Sequence, residues 1–183
     1  MNPEIPVSGI TLILGGARSG KSSFAENIAR EIGHAVLFIA TATAGDNEMA
    51  ERIRQHQASR PAGWQTLEIP YNLGNHLASP VAPVVIVDCI TLLVSNILVS
   101  LPENTSDEVV LDKICTEIDE LIAAQARLGG QWLIVSNEVG LGLVPPYSLG
   151  RVYRDALGRA NQALARAAGR VILMVAGIPV VVK

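Results

Sequence analysis

The sequence predicts an α/β fold, one domain over residues 1–183 built on a doubly wound, mostly parallel sheet, and three observations predict it. Short apolar runs recur along the chain, among them Ile10–Leu14, Ala35–Ala40, Val84–Val87 and Gln131–Ser136, as expected of strands buried on both faces. Segments of helical apolar spacing separate them, first Phe24, Ile28 and Ile32, later Val110, Ile114, Ile118, Leu121 and Ile122. Alternation of strands and helices implies right-handed crossovers and a parallel sheet.

The third observation is local. Ile10–Leu14 runs into Gly15-Gly16-Ala17-Arg18-Ser19-Gly20-Lys21-Ser22 and continues as the first helix, which is the strand-loop-helix context that a phosphate-binding loop requires. Glycines let backbone N–H groups close around phosphate oxygens, Lys21 reaches the terminal phosphates, and the Ser22 hydroxyl can ligate Mg²⁺. The helix adds its positive N-terminal end.

After Ala35–Ala40, the loop Thr41-Ala42-Thr43-Ala44-Gly45 begins at a strand's C-terminal end, the edge where open α/β sheets bind ligands. Thr41 and Thr43 are read either as nucleotide contacts or as turn residues. Asp46 is an N-cap for a helix reaching about Ser59, on which Met49, Ile53 and His56 share a face. From spacing alone His56 reads more readily as a satisfied core histidine than as a catalyst. Arg52, Arg54 and Arg60 beside it suit a polyphosphate tail or a solvated face.

Trp64–Ile69 is a short strand with Glu68 near its end, stopped by Pro70. Val84-Val85-Ile86-Val87-Asp88 has the form of a Walker B strand whose aspartate supports Mg²⁺ beside the phosphate loop. A helix follows from Cys89 to Leu101, and Thr105 with Glu108 makes a capping box for the next, which Gly129 and Gly130 end. The strand Gln131–Ser136 leads into Asn137-Glu138 and a loop of glycines and prolines, an active-edge loop that closes over a ligand. A helix over Leu149–Ala168 and strands over Val171–Ala176 and Pro179–Val182 finish the sheet.

Composition narrows the function. The 183 residues carry a formal charge of −3, which counts against nucleic acid as a partner and favours a phosphorylated small molecule. Cys89 and Cys115 have neither metal spacing nor a secreted framework, so both are expected to be reduced and structural. The N-terminus lacks the basic and apolar regions of a signal peptide, which points to the cytoplasm. Val81–Leu101 is apolar enough to suggest a membrane span, but Asp88, Ser95 and Asn96 interrupt it and a strand followed by a helix explains it without lipid.

Taken together, these blocks resemble the bifunctional adenosylcobinamide kinase / adenosylcobinamide-phosphate guanylyltransferase family of cobalamin biosynthesis. The resemblance rests on Gly15–Ser22; Phe38–Ala42 with Asp46, Glu48, Met49, Arg52, Ile53, His56, Arg60, Pro61, Trp64 and Glu68; Asp88–Asn96; Ser136–Pro145; and Arg154, Asp155, Gly158, Asn161, Gln162 and Gly177–Pro179. It implies a single-domain P-loop NTPase with a RecA-like sheet. It also implies two reactions: ATP or GTP phosphorylates adenosylcobinamide, and a histidine then takes GMP from GTP and passes it to adenosylcobinamide phosphate. The nucleophile maps onto His56, which reverses the reading from spacing. Lys21 is the second catalytic residue, and Gly15–Ser22, Thr41, Ala42, Thr43, Arg60, Glu68 and Asp88 bind nucleotide, with Ser22 and Asp88 on Mg²⁺. The resemblance further implies a homo-oligomer, a trimer. This chain has Gln55 and Gln57 flanking His56, where some relatives have a second histidine and many a basic residue.

Overall fold

The structure is a computed structural model that describes residues 8–33, 35–43, 51, 54, 60–77 and 82–183. It is organised by one seven-stranded sheet in the order β3-β2-β4-β5-β1-β6-β7. The strands are β1 Gly9–Gly15, β2 Val36–Ala40, β3 Gln65–Glu68, β4 Val84–Asp88, β5 Gln131–Val135, β6 Arg170–Val175 and β7 Ile178–Val181. All neighbouring strands are parallel except β6 and β7. The helices are α1 Lys21–Ile32, a short α2 Leu73–His76, α3 Ile90–Ser100, α4 Asp107–Leu128 and α5 Ser148–Ala167.

The continuous apolar runs are explained by the two cores. Leu12, Leu37, Ile39, Val85, Val87, Trp132 and Ile134 face α2, α3, α4 and α5, whereas Ile13, Phe38, Val84, Ile86, Leu133 and Val135 face α1. Every side chain of β2 and β5 is buried, so neither face of a central strand admits a polar alternation. The stripe on α4 is confirmed, with Val110, Ile114, Ile118 and Leu121 buried and Ile122 packed at its margin.

Two local expectations change, and the reading of the apolar 81–101 stretch holds. The cap of α4 is Ser106, whose Oγ accepts from Val109 N at 3.4 Å, and not Thr105. The Thr105 hydroxyl instead donates to Pro102 O at 2.7 Å and closes the preceding turn, so the helix starts one residue later and no capping box with Glu108 forms. The alternation of strand and helix stops at β6, because Ala176 (φ 50°) and Gly177 (φ 83°) turn the chain straight back into an antiparallel hairpin. Pro179 is tolerated in β7 because that strand is an edge. The 81–101 stretch divides into β4 and the 11-residue α3; among the described residues no helix is long and apolar enough to cross a membrane.

The helix expected from Asp46 to about Ser59 lies outside the described residues, His56 and Arg52 included, apart from Glu51 and Arg54. These two have helical backbone and pair at 2.6 Å.

α2, which the sequence did not announce, is held by a buried carboxylate. Glu117 on α4 accepts from Asn72 N through one oxygen and from Leu73 N through the other, each at 2.8 Å. This satisfies two N–H groups that the helix start leaves open. Glu117→Ala is expected to lower stability by about 2–3 kcal/mol in urea unfolding, since two buried donors lose a charged acceptor. A loss below about 0.5 kcal/mol would show that water replaces the carboxylate there.

Candidate active site

The site is built where β1 meets α1. Gly15 has φ 153° and passes so close to β6 that a Cβ there would lie 2.6 Å from both Met174 O and Ser19 Oγ, which only glycine avoids. Gly20, at φ 93°, is the N-cap of α1, with no side-chain cap and no acidic residue in the first turn, so the N–H groups of that turn are left for an anion. The loop's carbonyls are tied. Gly15 O accepts from Glu138 N at 3.0 Å, Ser19 O from Gly177 N at 3.0 Å and Gly20 O from Phe24 N at 2.9 Å. Gly16 O accepts from Ser19 N at 3.3 Å and from Lys21 Nζ at 2.6 Å. Gly16, Ala17 and Arg18 form the exposed rim, and Ser22 lies half-buried after Lys21.

Lys21 is buried, and burial lowers its pKa, opposed by the nearby Cys89 and Asp88. Asp88 closes β4, one strand away from β1 across β5, and the Lys21 and Arg60 charges both lie within its electrostatic reach. Arg60 stacks its guanidinium 3.7 Å over the Phe38 ring and donates to Thr66 Oγ1 at 3.4 Å. Burial lowers its pKa against the attraction of Asp88, Glu26 and Glu68. Ser19 Oγ in the loop and Arg60 Nε are both buried without a hydrogen-bond partner among the described residues. Buried donors of this kind suit a polar, anionic ligand.

Of the residues expected from the sequence, Gly15–Ser22, Asp88, Arg60 and the start of the loop after β2 gather at one edge of the sheet. Glu68 ends β3, exposed, on the outer flank. The buried Thr41 has its hydroxyl engaged with the Walker B turn, accepting from Cys89 N at 2.8 Å and donating to Cys89 O at 2.7 Å; of the two readings its geometry matches the turn one. Thr43 is exposed, half-buried Ala42 lies between them, and His56 falls outside the described residues.

Two polar assemblies were not read from the sequence. Asn96 on α3 donates to Thr41 O at 2.7 Å and to Pro70 O at 3.1 Å. Behind the loop after β5, Ser136 Oγ donates to Asn161 Oδ1 (2.7 Å), Asn161 Nδ2 to Asn137 O (3.0 Å) and Asn137 N to Thr91 Oγ1 (2.8 Å). Their only sequence signal is a polar residue on an otherwise apolar helix face, which does not name its partner.

Residues 11–182 match the family described as cobinamide kinase / cobinamide phosphate guanyltransferase. The chain belongs to that family. It is 46% identical over 174 residues to the bifunctional adenosylcobalamin biosynthesis protein CobP of Pseudomonas aeruginosa, covering 94% of this chain and 96% of that one. It is 44% identical over 181 residues to the protein CobU of Salmonella typhimurium, covering 94% and 98%. Among solved structures it is similar to the flagellar accessory protein FlaH from Methanocaldococcus jannaschii (TM-score 0.54, 14% identity, 100% of this chain and 81% of that one) and to the RadB recombinase (TM-score 0.50, 12% identity, 90% and 73%). These two show the fold alone.

The family is one of transferases, and Lys21, Asp88 and Arg60 lie together at one edge of the sheet in this member of it. Cys89, next to Asp88, is a free thiol whose pKa burial and the Asp88 charge push up to about 11. The thiol is therefore neutral below that pH, with about one molecule in a thousand as thiolate at pH 8. Cys89 is expected to resist iodoacetamide at pH 8 in the native protein and to react on unfolding. Its modification in the native protein at the rate of a free thiol, read by peptide mass spectrometry, would contradict this.

Proposed function

We propose that one domain carries out both reactions of the family at the single phosphate loop described above. It phosphorylates adenosylcobinamide with ATP or GTP, then moves GMP from GTP through a guanylyl-histidine on His56 to give adenosylcobinamide-GDP. The observation that carries this reading is the phosphate loop with buried Lys21 near half-buried Asp88 in a chain whose match to the family runs from residue 11 to 182.

In the first step the aminopropanol hydroxyl oxygen of the corrinoid attacks the γ-phosphorus, its proton is released to solvent, the bond to the β–γ bridging oxygen breaks, and the nucleoside diphosphate leaves. In the second, a ring nitrogen of His56 attacks the α-phosphorus of GTP and pyrophosphate leaves. A phosphate oxygen of adenosylcobinamide phosphate then attacks the same phosphorus and frees the histidine. An imidazole of ordinary pKa, about 6.5, is largely neutral at pH 7 and needs no separate base. Lys21 and the first-turn N–H groups of α1 take up charge on the phosphates whichever phosphorus is attacked.

Ser22 and Asp88 would hold Mg²⁺, which neutralises polyphosphate charge when bound. The donor set fits that ion. Two protein oxygens flanking Lys21, with no cluster of three His, Cys, Asp or Glu among the described residues, suit a cation that keeps waters and takes its other ligands from phosphates. Arg60 would face the nucleotide, with Ala42 and Thr43 following the turn that Thr41 holds and Glu68 farther out on the flank.

The exposed loop residues Leu141 and Leu143, on the segment whose Glu138 holds Gly15, give the corrinoid an apolar surface beside the phosphate loop. We further propose that the chain self-associates, as a trimer by resemblance. Support comes from edge strand β7 and its neighbour, where Val175, Ile178 and Val180 are exposed on one face of the sheet, more apolar surface than an edge usually leaves uncovered. Ile178→Glu is expected to shift the sedimentation coefficient toward that of a monomer; an unchanged value would place the contact elsewhere.

The covalent step gives the decisive test. GTP labelled at the α-phosphate is expected to label the protein through an acid-labile, base-stable bond. His56→Ala is expected to lose label and guanylyl transfer while phosphorylation persists, and Lys21→Ala to lose both by about a hundredfold or more. Label surviving in His56→Ala would refute the assignment and leave His34 and His76 to test. Absence of label in the unaltered protein would reduce the second activity to direct transfer.

A further inference from the structure

Asn96 occupies a position that its type alone does not explain. α3 carries it across the C-terminal ends of β2 and β3, where its Nδ2 donates to Thr41 O (2.7 Å) and Pro70 O (3.1 Å) and its Oδ1 accepts from Thr43 Oγ1 at 3.4 Å. One side-chain amide therefore joins the exits of two neighbouring strands. The β2 exit is also bound to the Walker B turn, and the β3 exit to the end of β2. Thr41 N donates to Asp88 O (3.1 Å), the Thr41 hydroxyl is engaged with both backbone groups of Cys89, and Ile69 N donates to Ala40 O (2.9 Å).

The chain leaves the sheet at Thr43 and is held again at Arg60, over the Phe38 ring and on Thr66. His56 lies in the sequence between these two anchored ends. The phosphate loop is tied by a different set of bonds, from Glu138 N, Gly177 N and Lys21 Nζ, none of which involves Asn96.

From this separation we infer that Asn96 is a positioning residue for the guanylyl-transfer half of the chemistry: it fixes where the segment bearing His56 departs from the sheet and leaves the phosphate loop to other bonds. The inference rests on His56 being the nucleophile. Attack at the α-phosphorus needs a side chain of that segment placed within reach of the nucleotide. Phosphorylation brings its nucleophile in with the corrinoid and depends on Asn96 less.

Asn96→Asp is nearly isosteric but turns a carboxylate oxygen toward two carbonyls; Asn96→Ala removes the donor without adding charge and covers the case in which the aspartate variant does not fold. Both are compared with the unaltered enzyme and His56→Ala for single-turnover labelling from α-labelled GTP, for kcat and KM of adenosylcobinamide phosphorylation, and for Tm. Either folded variant is expected to lower the ratio of guanylylation to phosphorylation rate about tenfold, since two hydrogen bonds to carbonyls are lost. An unchanged ratio, whether both rates hold or both fall alongside Tm, overturns the proposal and leaves Asn96 a structural clip. Absence of label in the unaltered enzyme, or label surviving in His56→Ala, overturns the nucleophile assignment and this proposal with it; normal His56-dependent labelling with an unchanged ratio overturns this proposal alone.

Discussion

A phosphate loop binds through its backbone N–H groups, so its carbonyls have to be held by something other than the ligand, and the rest of this structure follows from that requirement. Gly15 O and Ser19 O are held from opposite sides, by Glu138 N after β5 and by Gly177 N in the β6–β7 turn. Both holders exist because β1 lies between β5 and β6 in the sheet. The β6–β7 hairpin, which looks like a terminal appendage in the strand order, is thus a wall of the loop. Gly15 itself is dictated by that wall, since Met174 O leaves no room for a Cβ.

The electrostatics follow from the same placement. Lys21 begins α1 and is buried against the end of β4, where Asp88 and Cys89 lie within electrostatic reach. Burial disfavours the ammonium and Asp88 favours it. Arg60, on a different segment, meets the same opposition between burial and the Asp88 charge. Lys21 and Arg60 are thus two partly desolvated cations that share the Asp88 charge, with Glu26 and Glu68 also attracting Arg60. Ser19 Oγ and Arg60 Nε, buried without a hydrogen-bond partner among the described residues, are donors that a polar ligand would satisfy.

Much of this was legible in the residues. The parallel sheet was readable because strands buried on both faces have no polar alternation, and the loop because its glycines, lysine and serine have few interchangeable substitutes. What escaped depends on partners distant in sequence. Ser106 replaced Thr105 as a cap because Thr105 is occupied by Pro102, a choice among neighbours that spacing cannot make. The final hairpin hides behind Ala176-Gly177, whose first residue is not one that advertises a positive φ. Asn96 stood in a family block and as a polar break in an apolar helix, but neither named its partners, Thr41 and Pro70, 55 and 26 residues away.

The sheet also separates two tasks that the proposed chemistry needs kept apart. Gripping a polyphosphate requires a rigid cradle, and here it is held by β5, β1 and the β6–β7 turn on one side of the molecule. Presenting a nucleophile to one phosphorus and withdrawing it from another requires an element attached elsewhere, and the chain that bears His56 departs from β2 and returns toward β3 at the opposite end of the strand order. β4 lies between the two regions and contributes Asp88, which is electrostatically coupled to Lys21 on one side and to Arg60 on the other. Under the proposed mechanism a single grip serves attack at either phosphorus, because what changes between the two reactions is the nucleophile that approaches.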